Sequence, residues 1–321
     1  MQAEKIIVVG AGPCGMSCAI ELQKNGYNPL LIEKENIVNA IYNFPTHQTF
    51  FSSSEKLEIG DVAFITEKHK PVRNQALAYY RSVAERKQLR IHTFEEVTGV
   101  QKDEKQFYVT TNKQTYTAAQ VIIATGYYGQ PNMMNIPGET LEKVMHYFKE
   151  GHPYFRKDVV VIGGKNSAVD AALELHKAGA NVTVIYRGSE YSKSIKPWIL
   201  PEFDSLVRKE KIKMLFDATV CEITDSEVIY KQNNQKQSLH NDYVFAMTGY
   251  HPDLSLLSSM GVKIDEASGQ PYFNEVTYET NVPGIYIAGV VAAGYNNNKI
   301  FIENGRFHGE AIANSIRKKG W

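Results

Sequence analysis

Short, unbroken apolar runs that end at glycine recur along the chain, as in Ile6-Ile7-Val8-Val9 before Gly10 and Val159-Val160-Val161-Ile162 before Gly163. Each run predicts a strand, and the period changes after it. Met16, Ala19 and Ile20 fall at helical spacing after the first run, and Ala171-Ala172-Leu173-Glu174-Leu175 reads as helix after the second. Further strands, Leu30-Leu31-Ile32 and Val182-Thr183-Val184-Ile185, close the two units. Strand, glycine turn, helix and strand therefore occur twice, about 150 residues apart.

The first turn reads Gly10-Ala11-Gly12-Pro13-Cys14-Gly15, and its second strand ends at Glu33. This order supplies what a dinucleotide pyrophosphate requires. The glycines allow a tight turn and close backbone approach, a helix N-terminus faces the anion, and a carboxylate takes the ribose hydroxyls. The second turn, Gly163-Gly164-Lys165-Asn166-Ser167-Ala168, leads to a strand that ends at Tyr186-Arg187, with Lys193 nearby. A carboxylate there would repel a 2′-phosphate and a guanidinium pairs with it, so this site favours NADPH over NADH. Lys165 replaces a middle glycine and narrows the backbone approach, although it can meet a phosphate as a point charge. The alternative for Arg187 and Lys193 is that they are solvated surface cations.

A chain of 321 residues has room for two ordinary domains. Lysine plus arginine equals aspartate plus glutamate at 35 each, so nothing in the charge points to nucleic acid or an anionic membrane. No apolar run approaches the roughly 18 residues of a membrane span, and the first strand begins too early for a signal peptide. A cytoplasmic location is the expectation. Cys14, Cys18 and Cys221 form no disulfide framework, and neither they nor the nine histidines show metal-ligand spacing, so no metal is expected.

Two more segments read as strand and small-residue turn, Val121-Ile122-Ile123-Ala124-Thr125-Gly126 and Tyr243-Val244-Phe245-Ala246-Met247-Thr248-Gly249. A last strand, Ile285-Tyr286-Ile287-Ala288-Gly289, leads to a C-terminal helix from near Ile300 that carries Glu303, Phe307 and Ala311. The reading is an α/β chain of two Rossmann-like dinucleotide-binding domains, the first from residues 1–127 and 250–321, the second inserted as 128–249. Alternating residues at 106–110 and 114–116 predict a small antiparallel meander in the first domain, and 221–240 a matching hairpin in the second.

These segments together resemble the two-dinucleotide-domain flavoproteins in their low-molecular-weight thioredoxin reductase-like form, over essentially the whole chain. The resemblance implies FAD on the N-terminal unit, NADPH on the inserted one, and Ala124-Thr125-Gly126 and Ile287-Ala288-Gly289 closing over the flavin. The FAD positions it implies are Gly10, Gly12, Pro13, Cys14, Gly15, Glu33, Lys34, Thr125, Gly126 and Gly289, with the backbone of Val97 meeting the adenine. The NADPH positions are Gly163, Gly164, Lys165, Asn166, Ser167, Ala168, Arg187 and Lys193. Two departures stand out. Thioredoxin reductases carry Cys-x-x-Cys ahead of the second turn, and Val144 to Gly151 holds no cysteine, which excludes that dithiol chemistry. Val290 stands where the family's Ala-Gly-Asp motif has its acid, a lost hydrogen bond that loosens FAD by about 1 kcal/mol or more.

Cys14, the Gly-Gly-Lys-Asn-Ser-Ala turn and Ala288-Gly289-Val290-Val291 resemble the bacillithiol disulfide reductases. That likeness implies an NADPH-dependent flavoenzyme, a small-molecule disulfide substrate, a redox role for Cys14 and a homodimer or homotetramer. Cys14 lies at a helix N-terminus, where the macrodipole lowers a thiol pKa and favours the attacking thiolate. Its competing reading is a small residue filling a crowded turn. Cys14 and Cys18, one helical turn apart, are about 5–6 Å apart at Cβ where a disulfide needs about 4 Å, so no internal pair is expected. Cys18 and Cys221 read as core. His146 and His308 are either proton donors or structural, and the aromatic stretch from Tyr42 to Phe51 either lines a substrate cleft or packs a loop. The rival functions are a flavin monooxygenase, whose histidine fingerprint Gly138 and His146 do not match, a ferredoxin-type NADP reductase, and a non-catalytic flavin redox sensor.

Overall fold

The computed structural model describes residues 2–296 and 298–320. They fall into two compact units, one of residues 2–43, 47–130 and 251–320, the other of 44–46 and 131–250. The first contains β1 (Gln2–Val9), α1 (Pro13–Lys24), β2 (Leu30–Ile32), α2 (Asn39–Tyr42), α3 (Arg73–Arg86), β3 (Arg90–His92), β4 (Val97–Lys102), β5 (Phe107–Thr111) and β6 (Thr115–Ile123). The chain leaves it along β7 (Gln130–Pro131). The second holds β8 (Val144–Met145), β9 (Asp158–Ile162), α4 (Asn166–Lys177), β10 (Asn181–Ile185), α5 (Leu200–Arg208) and β11 (Ile212–Leu215). After them come β12 (Ala218–Ile223), β13 (Glu227–Gln232), β14 (Gln235–His240) and β15 (Tyr243–Ala246). The return runs along β16 (Tyr250–His251) to α6 (Ser255–Ser259), β17 (Ile285–Ile287), α7 (Ile302–Gly305) and α8 (His308–Lys318).

The seven-stranded sheet of the first unit has the order β3-β2-β1-β6-β5-β4, with β17 joined to β6. The sequence of β6 explains how one strand serves two kinds of pairing. Its first half, Thr-Tyr-Thr-Ala, alternates, and Thr115 to Ala118 pair antiparallel with β5 in the expected meander. Its second half, Val121-Ile122-Ile123, is apolar throughout and pairs in parallel with β1 and β17, buried on both faces. One side of this sheet packs Ile7, Val9, Leu30, Ile32, Val121, Ile123, Ile285 and Ile287 with Phe107 and Tyr116.

Helix α8 buries Ile312 and Ile316 completely, each worth about 1.5–3 kcal/mol. It lies against α1 so closely that a Cβ on Gly309 would stand 2.7 Å from the Cα of Cys18. The single helix expected from near Ile300 is two helices, α7 and α8, interrupted at Arg306 and Phe307. The Arg306 carbonyl accepts the Ser17 hydroxyl at 2.6 Å, which draws that turn toward α1.

In the second unit a wholly parallel sheet, β11-β10-β9-β15-β8, carries α4 and α5. Val159, Val161, Val182, Val184 and Phe245 meet Ala168, Ala172 and Leu175 of α4. The hairpin expected over 221–240 has a third strand, since β12 begins at Ala218 and pairs with β13 across a bulge between Val220 and Glu222. Asn233 and Asn234 turn β13 into β14 with φ of 52° and 60°, the left-handed pair of a tight primed turn. Cys221 is half-exposed on β12, not core, because a side chain at that irregular register leaves the packed face; its thiol donates to the Thr219 carbonyl at 3.4 Å.

Candidate active site

Both glycine turns sit where the strand order reverses: β1 lies between β2 and β6, and β9 lies between β10 and β15. Open α/β sheets bind ligands at such a point. The turns are built alike. Gly10 has φ +106°, and a Cβ there would stand 2.5 Å from the Ala124 carbonyl; Gly163 has φ +136°, and a Cβ there would stand 2.4 Å from the Met247 carbonyl. The backbone amide of Gly10 donates to Ile32 O at 2.8 Å and that of Gly163 to Ile185 O at 2.9 Å, so each turn is locked to its second strand at the same register.

At the first turn the structure contains a cradle of the right kind for a dinucleotide. Gly12 has no atom within 4 Å of where its Cβ would be, and neither has Gly126, whose φ of +75° requires glycine. Helix α1 starts at Pro13 with no acidic residue in its first turn and no side chain capping it, which leaves its first amides for a ligand anion. Glu33 accepts the Ala11 amide at 2.7 Å and the Glu35 amide at 3.1 Å, while burial pushes its carboxyl above the usual range. The chain after β2 folds back so that the Val38 amide donates to Ala11 O at 3.0 Å. That places Val38, a buried β-branched residue, at φ 49°, a strained conformation at a ligand turn that no sequence pattern announced.

Cys14 is half-buried as a residue, but its sulfur is enclosed. A Cβ on Gly289 would stand 3.1 Å from Sγ, and one on Gly305 would stand 2.9 Å from it. Burial first, and then the Glu303 carboxylate, push the thiol up to about 12. Desolvation and a nearby negative charge thus oppose the helix dipole, which favours the thiolate. Glu303 accepts a short hydrogen bond from the Ser52 hydroxyl. Cys18 is fully buried, as expected.

His308 is a buried structural group. Its Nδ1 accepts the Gly289 amide at 3.2 Å, and its ring stacks on Tyr278 at 4.1 Å between centroids. Burial lowers its pKa from 6.5 to about 4. An unfolded chain takes up the proton near 6.5 and the folded chain only near 4, so stability is intact above 6.5 and declines as pH falls toward 4. Over that window the loss should reach about 3 kcal/mol. Denaturant melts from pH 7.5 to 4 should show it, and His308→Asn, which keeps an acceptor for Gly289 and cannot titrate, should flatten the slope; an equal slope in both proteins would assign the loss to other groups.

Other expected positions are dispersed. Thr125 is exposed beside the first turn. Lys34 is exposed and pairs with Glu96 at 3.2 Å. Val97 opens β4, half-buried against the core. A residue the sequence reading missed, Glu95, anchors this edge: its buried carboxylate accepts the Thr111 and Tyr116 hydroxyls, both at 2.8 Å, and its amide donates to Glu33 O at 2.9 Å. The aromatic stretch is divided. Tyr42 and Phe51 are exposed in the first unit, whereas Phe44 to Thr46 belong to the second, where the Thr46 amide donates to Lys149 O at 2.9 Å. His146 also lies in the second unit, its carbonyl accepting the Tyr250 hydroxyl at 2.9 Å.

At the second turn Lys165 and Ser167 are exposed at the start of α4, and Ala168 is buried against the sheet. Asn166 donates to Ser194 O and accepts the Lys196 amide, both at 2.9 Å, which ties the loop bearing Lys193 to the helix start. Arg187 and Lys193 are both exposed. Among the described residues no group of three or more histidine, cysteine or acidic side chains is arranged to hold a metal, and no helix is long and apolar enough to cross a membrane.

Two phosphate-ready turns, one on a mixed sheet and one on a parallel sheet, with no dithiol beside them among the described residues, are the frame of a flavin and pyridine-nucleotide oxidoreductase. The family model for pyridine nucleotide-disulphide oxidoreductases matches residues 7–289, and the chain belongs to that family, NADPH-dependent flavoenzymes that use FAD. It is similar to the bacilliredoxin reductase Bdr of Bacillus subtilis (strain 168), with 63% identity over 321 residues and 99% of each chain covered. Among solved structures it resembles the bacillithiol disulfide reductase Bdr from Bacillus cereus, with 63% identity, a TM-score of 0.97, and 99% of this chain and 100% of that one covered. The enzyme of the same name from Staphylococcus aureus is 57% identical, with a TM-score of 0.97 and 100% of both chains covered.

Proposed function

We propose that this chain reduces bacillithiol disulfide to two molecules of bacillithiol at the expense of NADPH, with FAD on the first unit and NADPH on the second. The balance is NADPH, a proton and the disulfide giving NADP⁺ and two thiols. The observation that carries the reading is the position of Cys14, a cysteine in the first glycine turn with its sulfur against Gly289 and Gly305. Gly10, Gly12, Gly15, Glu33, Gly126 and Gly289 would hold FAD, which when bound supplies the electron pair that the disulfide receives from NADPH. Cys14 attacks one sulfur of the disulfide, its proton leaves on the first bacillithiol and the second is held as a mixed disulfide. The electron pair that FAD would pass on from NADPH, with two protons, would then cleave that bond, freeing the second bacillithiol and restoring the Cys14 thiol. Arg187, Lys165 and Lys193 would orient NADPH through its phosphates.

The Bacillus subtilis relative is named for bacilliredoxin, which supports a second reading in which the disulfide is on a small protein. Anaerobic NADPH oxidation by the FAD-loaded protein, measured with bacillithiol disulfide, with oxidised bacilliredoxin, and with neither, separates the two. Consumption that depends on bacillithiol disulfide alone supports the first reading. Consumption only with the protein moves the substrate to bacilliredoxin, and indifference to both, with rapid turnover on oxygen or an iron–sulfur acceptor, sinks the disulfide reductase assignment. The reading places the enzyme in the cytoplasm, where a reduced thiol pool is kept, as the homodimer or homotetramer that the family likeness implies; light scattering tests the assembly.

A further inference from the structure

Gly164 and Gly188 pose a question that turn geometry does not answer. Neither belongs to the glycines with positive φ, so both backbones are open to any residue. What excludes a side chain at each is one ring. A Cβ on Gly164 would stand 2.3 Å from Cγ of Tyr186, and a Cβ on Gly188 would stand 2.5 Å from its Cε1. The ring therefore lies flat across two glycines, one in the nucleotide turn and one just beyond the strand.

Its place has a counterpart in the first unit. Ile32 and Ile185 accept the equivalent glycine amides, so Tyr186 follows β10 as Glu33 follows β2, and Gly164 stands where Ala11 stands. In the first unit the carboxylate takes the Ala11 amide and is set to accept ribose hydroxyls. In the second an uncharged ring covers that spot. Its backbone is pinned on both sides: the Tyr186 amide donates to Leu215 O at 2.9 Å, Tyr186 O accepts the Ala218 amide at 3.1 Å, and Gly188 O accepts the Asp217 amide at 3.0 Å. Arg187, exposed, is held between them.

We propose that Tyr186 is the specificity-determining residue of the second site: clamped across Gly164 and Gly188, its ring withholds an acceptor from a 2′,3′-diol and fixes Arg187 to receive a 2′-phosphate. This deepens the NADPH reading above and rests on it, but not on the identity of the disulfide. The test is calorimetric titration of the full FAD-loaded chain with 2′,5′-ADP and with 5′-AMP. Wild type should prefer the 2′-phosphorylated ligand, and Tyr186→Phe should keep that preference. Tyr186→Glu should lower the ratio of affinities by about tenfold or more, and Gly188→Ala, which displaces the ring, by a smaller factor in the same direction. Tyr186→Leu, neutral and of similar bulk, covers the case in which the acid prevents folding; it should lower the ratio by loosening Arg187. An unchanged ratio in the folded Tyr186→Glu, Tyr186→Leu and Gly188→Ala proteins overturns the role of Tyr186 while leaving the NADPH site standing. A wild type with no preference overturns the NADPH reading itself.

Discussion

Gly12→Val is expected to give a folded chain that carries no flavin. Gly12 has φ −74° and ψ 173°, an extended conformation that valine adopts readily, and no atom of the protein lies within 4 Å of its Cβ position. The substitution therefore costs the fold little and fills the space through which a pyrophosphate reaches the amides of α1. Affinity for FAD should fall by about a hundredfold or more, roughly 3 kcal/mol. Flavin absorbance per chain after purification reads the loss, and melts of the flavin-free proteins should coincide, because bound flavin would itself raise the melting temperature of wild type. Gly15→Ala makes the contrast. Its Cβ would stand 2.1 Å from the Gly10 carbonyl, backbone that cannot give way, so this smaller change should destabilise the folded chain by about 3 kcal/mol. A yellow, stoichiometrically loaded Gly12→Val would remove the first turn from the FAD site.

Cys14→Ala is expected to keep both fold and flavin and to lose disulfide-dependent NADPH consumption by about a hundredfold or more. Alanine leaves Gly289 and Gly305 unobstructed. The thiol itself should be slow to react at rest. With its pKa pushed up to about 12, only about one molecule in ten thousand or fewer is thiolate at pH 7.5. Iodoacetamide labelling of Cys14, followed by mass spectrometry, should therefore be slow at neutral pH and climb about tenfold per pH unit through pH 9. Glu303→Gln removes one of the two causes of the shift and should speed labelling at every pH. A labelling curve that levels off near pH 7 would show a thiolate already formed, and full disulfide turnover in Cys14→Ala would pass the electrons to the substrate without this sulfur.

Much of the architecture was legible because buried parallel strands leave a coarse mark: they are apolar without alternation and stop at a glycine. Gly10 and Gly163 could be read as turn residues because positive φ and a carbonyl within 2.5 Å leave glycine as the residue that fits. What escaped depends on partners far away in the chain. The acidity of Cys14 is set by burial and by Glu303, on a helix at the other end of the sequence. The turn between α7 and α8 is held by distant partners, the Ser17 hydroxyl on the Arg306 carbonyl and the Glu55 and Glu58 carbonyls on its guanidinium. Tyr186 carries no pattern of its own, since an aromatic residue after a strand is ordinary until the glycines beneath it are seen. β14, inside the hairpin expected over 221–240, carries the faintest mark of the three strands: Gln-Lys-Gln-Ser-Leu-His lies almost wholly exposed, so it has no buried face to alternate.

The hydrogen bond from Ser17 to Arg306 joins residues 289 positions apart. Helices α1 and α8, far apart in the sequence, therefore have to find each other, and the ribosome delivers the second long after the first. Domains of nascent chains commonly complete from the N-terminus onward. Here residues 131–250 form nearly all of one unit in a single stretch, and that unit can close while the tail is still being made. The opening βαβ segment must wait for the final helix to emerge, its apolar face uncovered in the meantime. Nascent chains stalled before residue 308 should accordingly expose the α1 surface to chaperones, and the emergence of residues 308–318 is the event that ends that exposure.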